Sequence, residues 1–216
     1  MIIKIFRKEK NFEKETIKFI KKIYKNKESS FSVALSGGTT PEKIYNLLSK
    51  ENLPFNKTDF FEVDERYAPL SNKDTNHKMI YSSLIKTISP KAFHYFDTSL
   101  SIKKSLEKYA NELSEKPLDL TILGIGEDGH TASLFPYSKT LKEKKYTVAH
   151  TQTDRFKIKD RLTLTFPKIL QSKKILVLIK NKNSVLKELK TPRKTFTEFP
   201  ALKLIKHKDI TIHALT

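Results

Sequence analysis

The stretch that most constrains this chain is the apolar run from Leu118 to Leu123, followed at once by Gly124-Ile-Gly126-Glu-Asp128-Gly129-His130. Such a run reads as a strand buried on both faces, the kind that parallel sheets contain. The glycines then force the backbone into a tight loop with a histidine at its end. The chain holds 5 glycines in 216 residues, well below the average usage of about 7%. All of them lie either in this loop or in Ser36-Gly37-Gly38-Thr39. A lysine-heavy sequence that keeps glycine in two places keeps it where the backbone needs a positive φ or a close approach to a ligand. The two loops are therefore expected to form one site.

Gly124-x-Gly126-x-x-Gly129 matches the dinucleotide fingerprint in letters and follows a strand. Its context does not match. The strand about twenty residues on, around Thr147-Val148-Ala149-His150, carries no acid to hold a ribose. The better reading is a catalytic loop presenting Asp128 and His130 at the carboxyl end of a strand, where open α/β sheets hold their ligands.

Strand and helix signals alternate along the chain. Strands are expected at Ile2–Phe6, Phe31–Leu35, Asp59–Val63, Ala92–Phe96, Leu118–Leu123, Lys145–His150, Arg161–Phe166, Ile175–Ile179 and Ile210–Ala214. Phe12, Thr16, Phe19, Ile20 and Ile23 recur at helical spacing over about Asn11–Asn26. Further helices are expected after Pro41, from Asp74 or Thr75 as N-cap, over Ser101–Ser114 and over Ser184–Leu189, with 190–198 a surface loop. This alternation predicts an α/β fold: one three-layer domain over 1–216, a mainly parallel sheet with helices on both faces.

Composition narrows the function. The absence of cysteine removes disulfides, thiolate metal sites and a cysteine nucleophile. Met1–Phe6 is too short and charged for a signal peptide, and no stretch approaches the about 18 apolar residues of a membrane span, so the cytoplasm is the expected location. The net charge of +18 raises the question of nucleic acid. The lysines are dispersed over expected helix faces and no RNA-binding aromatic motif occurs. The abundance of Lys, Asn, Ile and Phe reads as A/T-biased composition, so no nucleic-acid partner is expected. A positive field still favours a phosphorylated substrate.

Ser36-Gly37-Gly38-Thr39-Thr-Pro41 lies between a strand and a helix start, where backbone N–H groups and hydroxyls hold an anion such as phosphate. Asp64-Glu65-Arg66 follows a strand, and Arg66 can grip a phosphate with its fork. Either acid is a candidate to hold that arginine or to take sugar hydroxyls. Arg161 begins a later strand, in a chain where lysine is the default cation. His130 is the only histidine in a glycine loop and suits proton transfer, with Asp128 to orient it. No Gly-x-Ser-x-Gly elbow occurs, nothing marks Ser133 as activated, and His77 and His94 read as ordinary helix and strand residues.

These pieces together resemble the 6-phosphogluconolactonase family: Ser36–Pro41, Asp64-Glu-Arg66 with Thr75-Asn76 downstream, Gly124–Pro136 and Arg161-Leu-Thr-Leu-Thr165, in family order and at family spacing. The resemblance implies hydrolysis of 6-phospho-D-glucono-1,5-lactone in the oxidative pentose phosphate pathway and a fold like that of glucosamine-6-phosphate deaminase. It further implies no metal and no cofactor, and a small phosphorylated sugar lactone as the partner; a monomer is expected. On this chain it makes His130 the general base with Asp128 beside it. It makes Ser36, Gly37, Gly38, Thr39, Asp64, Arg66, Gly129, Arg161 and Lys182 the substrate and phosphate contacts. The alternative is the related sugar-phosphate deaminase/isomerase class, whose loop carries an acid after the histidine. Thr131-Ala-Ser-Leu-Phe-Pro136 carries none, and Arg66 stands where that class resembles Asp-Glu-Tyr.

Overall fold

Alternation along Ile175–Lys180 builds the fold: Ile175, Val177 and Ile179 enter one apolar core, and Leu176 and Leu178 enter another. Successive side chains of a strand point to opposite faces, so a strand that is apolar throughout must be covered on both sides. The computed structural model describes residues 1–25, 30–113 and 117–216. In chain order its elements are β1 (Ile2–Phe6), α1 (Glu9–Lys25), β2 (Phe31–Leu35), α2 (Thr39–Leu48), β3 (Thr58–Glu62), β4 (Asp64–Arg66), α3 (Asn76–Ile80) and β5 (Ala92–His94). There follow α4 (Ile102–Glu112), β6 (Leu120–Gly124), β7 (Val148–Gln152), β8 (Asp160–Leu164), α5 (Phe166–Leu170), β9 (Ile175–Lys180), α6 (Asn183–Lys190) and β10 (Ile210–Leu215).

Among the described residues the main sheet has 7 strands in the order β1-β10-β9-β6-β2-β3-β5, and every neighbouring pair is parallel. One face is covered by α1, α2 and the α3 region, through Phe12, Ile20, Ile44, Tyr45, Ile80 and Leu84. The other is covered by α4, α5 and α6 through Tyr109, Phe166, Ile169, Val185 and Leu189. This is the expected three-layer α/β arrangement.

Several details differ from the sequence reading. Asp64–Arg66 is itself a strand, and with β8 and β7 it forms a second, antiparallel sheet, of 3 strands among the described residues. The chain leaves the main sheet at Val63, whose N–H bonds the Leu35 carbonyl while its own carbonyl accepts from Leu164 N–H in the small sheet. Alternation of apolar residues cannot tell a hairpin strand from one in a parallel sheet, so β7 and β8 read as part of the main sheet. Phe166, expected at the end of a strand, starts α5 instead, with Pro167 in its first turn, where a missing N–H is tolerated. α1 turns Ile17 and Tyr24 into the core with Phe12, Thr16 and Ile20, and leaves Phe19 and Ile23 partly covered. The helix ends expected at Asn26 and Ser114 lie outside the described residues.

Strand order places the site. β2 and β6 are neighbours, yet the chain leaves β2 toward β3 on one side and β6 toward β9 on the other. That divergence leaves a crevice at their carboxyl ends, which is where open α/β sheets bind ligands. The two glycine loops follow those two strands.

Candidate active site

A cleft of about 240 Å³ opens at this point. The β2–α2 loop lines one wall with Ser36, Gly37, Gly38 and Thr39. Ser36 donates its hydroxyl to the Ile122 carbonyl at 2.9 Å and accepts the Tyr45 hydroxyl on its own carbonyl at 3.0 Å, which staples the loop to β6 and α2. Gly38 sits at φ +106°, caps α2 and brings no side-chain cap with it. The first N–H groups of α2 are thus left for a ligand, at the end of the helix that favours negative charge. Gly37 has a different constraint. A Cβ there would lie 1.8 Å from Asn76 Oδ1, so the glycine makes room for a neighbouring side chain.

The loop after β6 closes on itself: Gly126 N–H bonds the His130 carbonyl and Gly129 N–H bonds the Gly126 carbonyl, both at 2.9 Å. His130 Nδ1 meets Asp128 Oδ1 at 2.5 Å, and the same oxygen accepts the His130 backbone N–H at 3.1 Å. The other carboxylate oxygen is paired with Arg155. Burial pushes the Asp128 carboxyl up, but the hydrogen bonds and charge of His130, together with Arg155, outweigh it and hold the group at about 2. An ionised Asp128 fixes the proton of the neutral imidazole on Nδ1, so Nε2 is the nitrogen left for the cleft. Gly126 is required for this contact, because a Cβ there would lie 2.2 Å from His130 Nδ1.

Arg66 and Arg161 lie opposite each other on β4 and β8, and both line the cleft. Arg66 is held by the Asp74 carbonyl at 2.5 Å, and Arg161 by the Ile158 carbonyl at 3.0 Å. Neither acid of Asp64-Glu65 grips the arginine side chain. Glu65 is fully buried and accepts three backbone N–H bonds, from Arg66, Asn76 and His77 at 2.6–2.7 Å, so it tethers β4 to the start of α3. Burial and the nearby Glu62 push its carboxyl up to about 8, against the pull of those donors. Asp64 faces the cleft, accepting Ser133 Oγ at 2.6 Å and Asn76 Nδ2 at 3.3 Å. Lys182 also lines the cleft and donates to the Ile125 carbonyl at 2.7 Å.

One expected contact is elsewhere. Gly129, at φ +83°, is absent from the cleft wall, and a Cβ on it would run into the Phe199 ring at 2.3 Å. Its glycine serves packing of the loop against the segment before Pro200–Lys206. Ser133 bonds Asp64 rather than His130. His77 stacks against Phe93 and Tyr81 and meets Tyr95 at a tilt, away from the cleft. Sequence reasoning gave no role to Asn76, Lys180 or Phe156, all of which line the cleft. Asn76 had a signal in its place just after a helix N-cap, whereas Phe156 sits in a polar turn with nothing to mark it. Among the described residues, no three His, Asp or Glu side chains come together as a metal site would require.

Residues 9–212 match the family described as "Glucosamine-6-phosphate isomerases/6-phosphogluconolactonase". The chain is 36% identical over 210 residues to a probable 6-phosphogluconolactonase of Dictyostelium discoideum, covering 90% of this chain and 89% of that one. The chain belongs to the 6-phosphogluconolactonase family. Solved structures of family members agree. The 6-phosphogluconolactonase of Thermotoga maritima superposes with a TM-score of 0.85 at 30% identity, over 99% of this chain and 98% of its own. That of Trypanosoma brucei gives 0.88 at 26% identity, over 99% and 95%. No helix among the described residues is long and apolar enough to cross a membrane.

Proposed function

We propose that this enzyme hydrolyses 6-phospho-D-glucono-1,5-lactone to 6-phospho-D-gluconate, with His130 as the general base. The observation that carries the reading is a single arrangement. His130, backed on Nδ1 by an ionised Asp128, opens onto a cleft that two facing arginines and the N-terminus of α2 also line. The cations and the helix end suit the phosphate, and the histidine suits an activated water. The names of the similar proteins support the same substrate.

In the reaction, Nε2 of His130 takes a proton as a water oxygen bonds the lactone C1. Negative charge develops on the former carbonyl oxygen, to be met by loop N–H groups or by Lys182. The tetrahedral intermediate then breaks its bond from C1 to the ring oxygen, and that oxygen leaves with the proton returned from His130. No covalent enzyme intermediate is needed, since the lactone is already an activated ester. Asp64, with Asn76 and Ser133 behind it, is the acceptor for substrate hydroxyls. The loop after His130 has no acid of the kind the deaminase/isomerase class uses for ring opening, which favours the lactonase reading.

The test is enzyme-catalysed lactone opening against pH, with the spontaneous reaction subtracted. His130→Ala should lower kcat by about 10²–10⁴-fold, the span of general-base catalysis, while the variant stays folded and still binds a phosphosugar. Near-wild-type activity with an unchanged acid limb would remove His130 as the base. Turnover of glucosamine 6-phosphate in place of the lactone would move the enzyme to the other class.

A further inference from the structure

The turn between β7 and β8, residues 153–159, has no part in the mechanism above, yet it touches both halves of the site. Phe156 lies against His130 with ring centroids 6.0 Å apart and against Phe135 at 6.1 Å. Its ring also carries the Arg161 guanidinium at 5.2 Å. The residue before it, Arg155, reaches Asp128. Asp128 uses one oxygen twice, for the backbone N–H and for Nδ1 of His130. Arg155 occupies the other. The carboxylate is therefore held from both ends, by the residue it orients and by a cation from a different element.

We propose that Arg155 is a positioning residue for the His130–Asp128 pair. The inference rests on His130 being the base. Its physical content is twofold. A carboxylate bonded through one oxygen alone can rotate about its terminal torsion, and the imidazole it steers then loses its aim. The charge of Asp128 also favours the protonated imidazole, which is useless as a base; a cation on the free oxygen offsets that charge. The other charged groups facing His130 are Lys180 and Lys182 beside the loop, Asp64 and Arg66 across the cleft, and Arg161 behind Phe156. Lys180 is already paired with Glu9, and Arg161 and Lys182 with backbone carbonyls. Arg155 is the cation that meets Asp128 directly.

The experiment compares wild type with Arg155→Gln, Arg155→Lys, Lys159→Ala and His130→Ala in lactone opening against pH. Lys159 is a control from the same turn, paired with Asp154 at 2.7 Å rather than with Asp128. Arg155→Gln should lower kcat roughly tenfold, between the negligible effect of an ordinary exposed pair and the ~10²-fold loss from a misplaced group, with KM little changed. Its acid limb should move to higher pH by about half a unit, as expected for one charge removed at this range in a wet site, and the displacement should shrink at high salt. Arg155→Lys should recover most of both effects, and Lys159→Ala should show neither. If Arg155→Gln keeps kcat within about twofold with its acid limb in place while His130→Ala is inactive, the proposal is wrong and the base assignment stands. A loss that Lys159→Ala reproduces, or one with an unmoved limb, assigns the effect to the turn as a whole and also overturns it. Full activity in His130→Ala overturns the base assignment itself, and the role of Arg155 falls with it.

Discussion

Arg66 on β4 and Arg161 on β8 are direct cross-strand partners in an antiparallel ladder, so two like charges share one face of a three-stranded sheet. Like charges placed directly opposite destabilise a sheet. Burial and the proximity of Arg66 lower the Arg161 pKa, which registers that tension. An anion bound between them would relieve it. Arg66→Lys or Arg161→Lys should therefore raise KM for the phosphorylated lactone by about tenfold, since a point charge does not reproduce the fork, with a smaller change in kcat. Inorganic phosphate should raise the Tm of the wild type, and by less in either variant. An unchanged KM in both would place the phosphate elsewhere in the cleft.

The glycines of the His130 loop should respond differently to alanine. At Gly126 a Cβ would sit 2.1 Å from His130 Cε1, so the imidazole must move; kcat should fall on the order of 10²-fold with a folded protein. At Gly124 the added Cβ meets no atom within 4 Å beyond its chain neighbours, so the fold should be unaffected, and any loss should appear in KM because the position faces the cleft. Steady-state kinetics and circular dichroism of the two variants distinguish these outcomes.

Gly129→Ala should act on stability. The residue combines φ +83° with a Cβ position 2.3 Å from the Phe199 ring. Left-handed backbone for a residue with a Cβ costs about 1 kcal/mol, and overpacking adds about 1–3 kcal/mol. Urea unfolding should show a loss of a few kcal/mol. A variant as stable as the wild type would mean the segment before Pro200 moves aside freely.

Acid should destabilise the fold through His213. This side chain is fully buried, bonded on Nδ1 to Thr16 Oγ1 at 2.9 Å, and burial with the nearby Lys4 pushes its pKa down to about 4. The unfolded chain then takes up the proton first. The contribution is fully present above the unfolded value of about 6.5 and is lost as pH falls toward 4. The loss amounts to at most about 3 kcal/mol. Unfolding free energies measured across that window should show the slope, and His213→Leu should flatten it; an equal slope in the variant would assign it to other groups.

Local patterning was enough to place the main sheet and the two loops at its centre. Ile175–Lys180 and Phe31–Leu35 are apolar on both faces, which leaves a covered parallel sheet as their place, and five glycines confined to two loops marked the two strand ends that meet at the cleft. His130 was legible as the histidine of a glycine loop with Asp128 two residues before it, and Arg66 and Arg161 as arginines beside strands in a chain where lysine is the default cation. What those residues meet depends on packing between distant segments. Asp64-Glu-Arg66 read as one motif, yet pleating sends Asp64 to the cleft and buries Glu65 against the start of α3. Gly129 read as a ligand contact, yet Phe199, seventy residues on, explains it. Phe156 and Arg155 lie in a turn whose composition is that of any exposed loop. Their contacts with His130 and Asp128 come from long-range proximity, which side-chain periodicity does not encode: periodicity reports which face of an element is covered, and says nothing of which distant segment covers it.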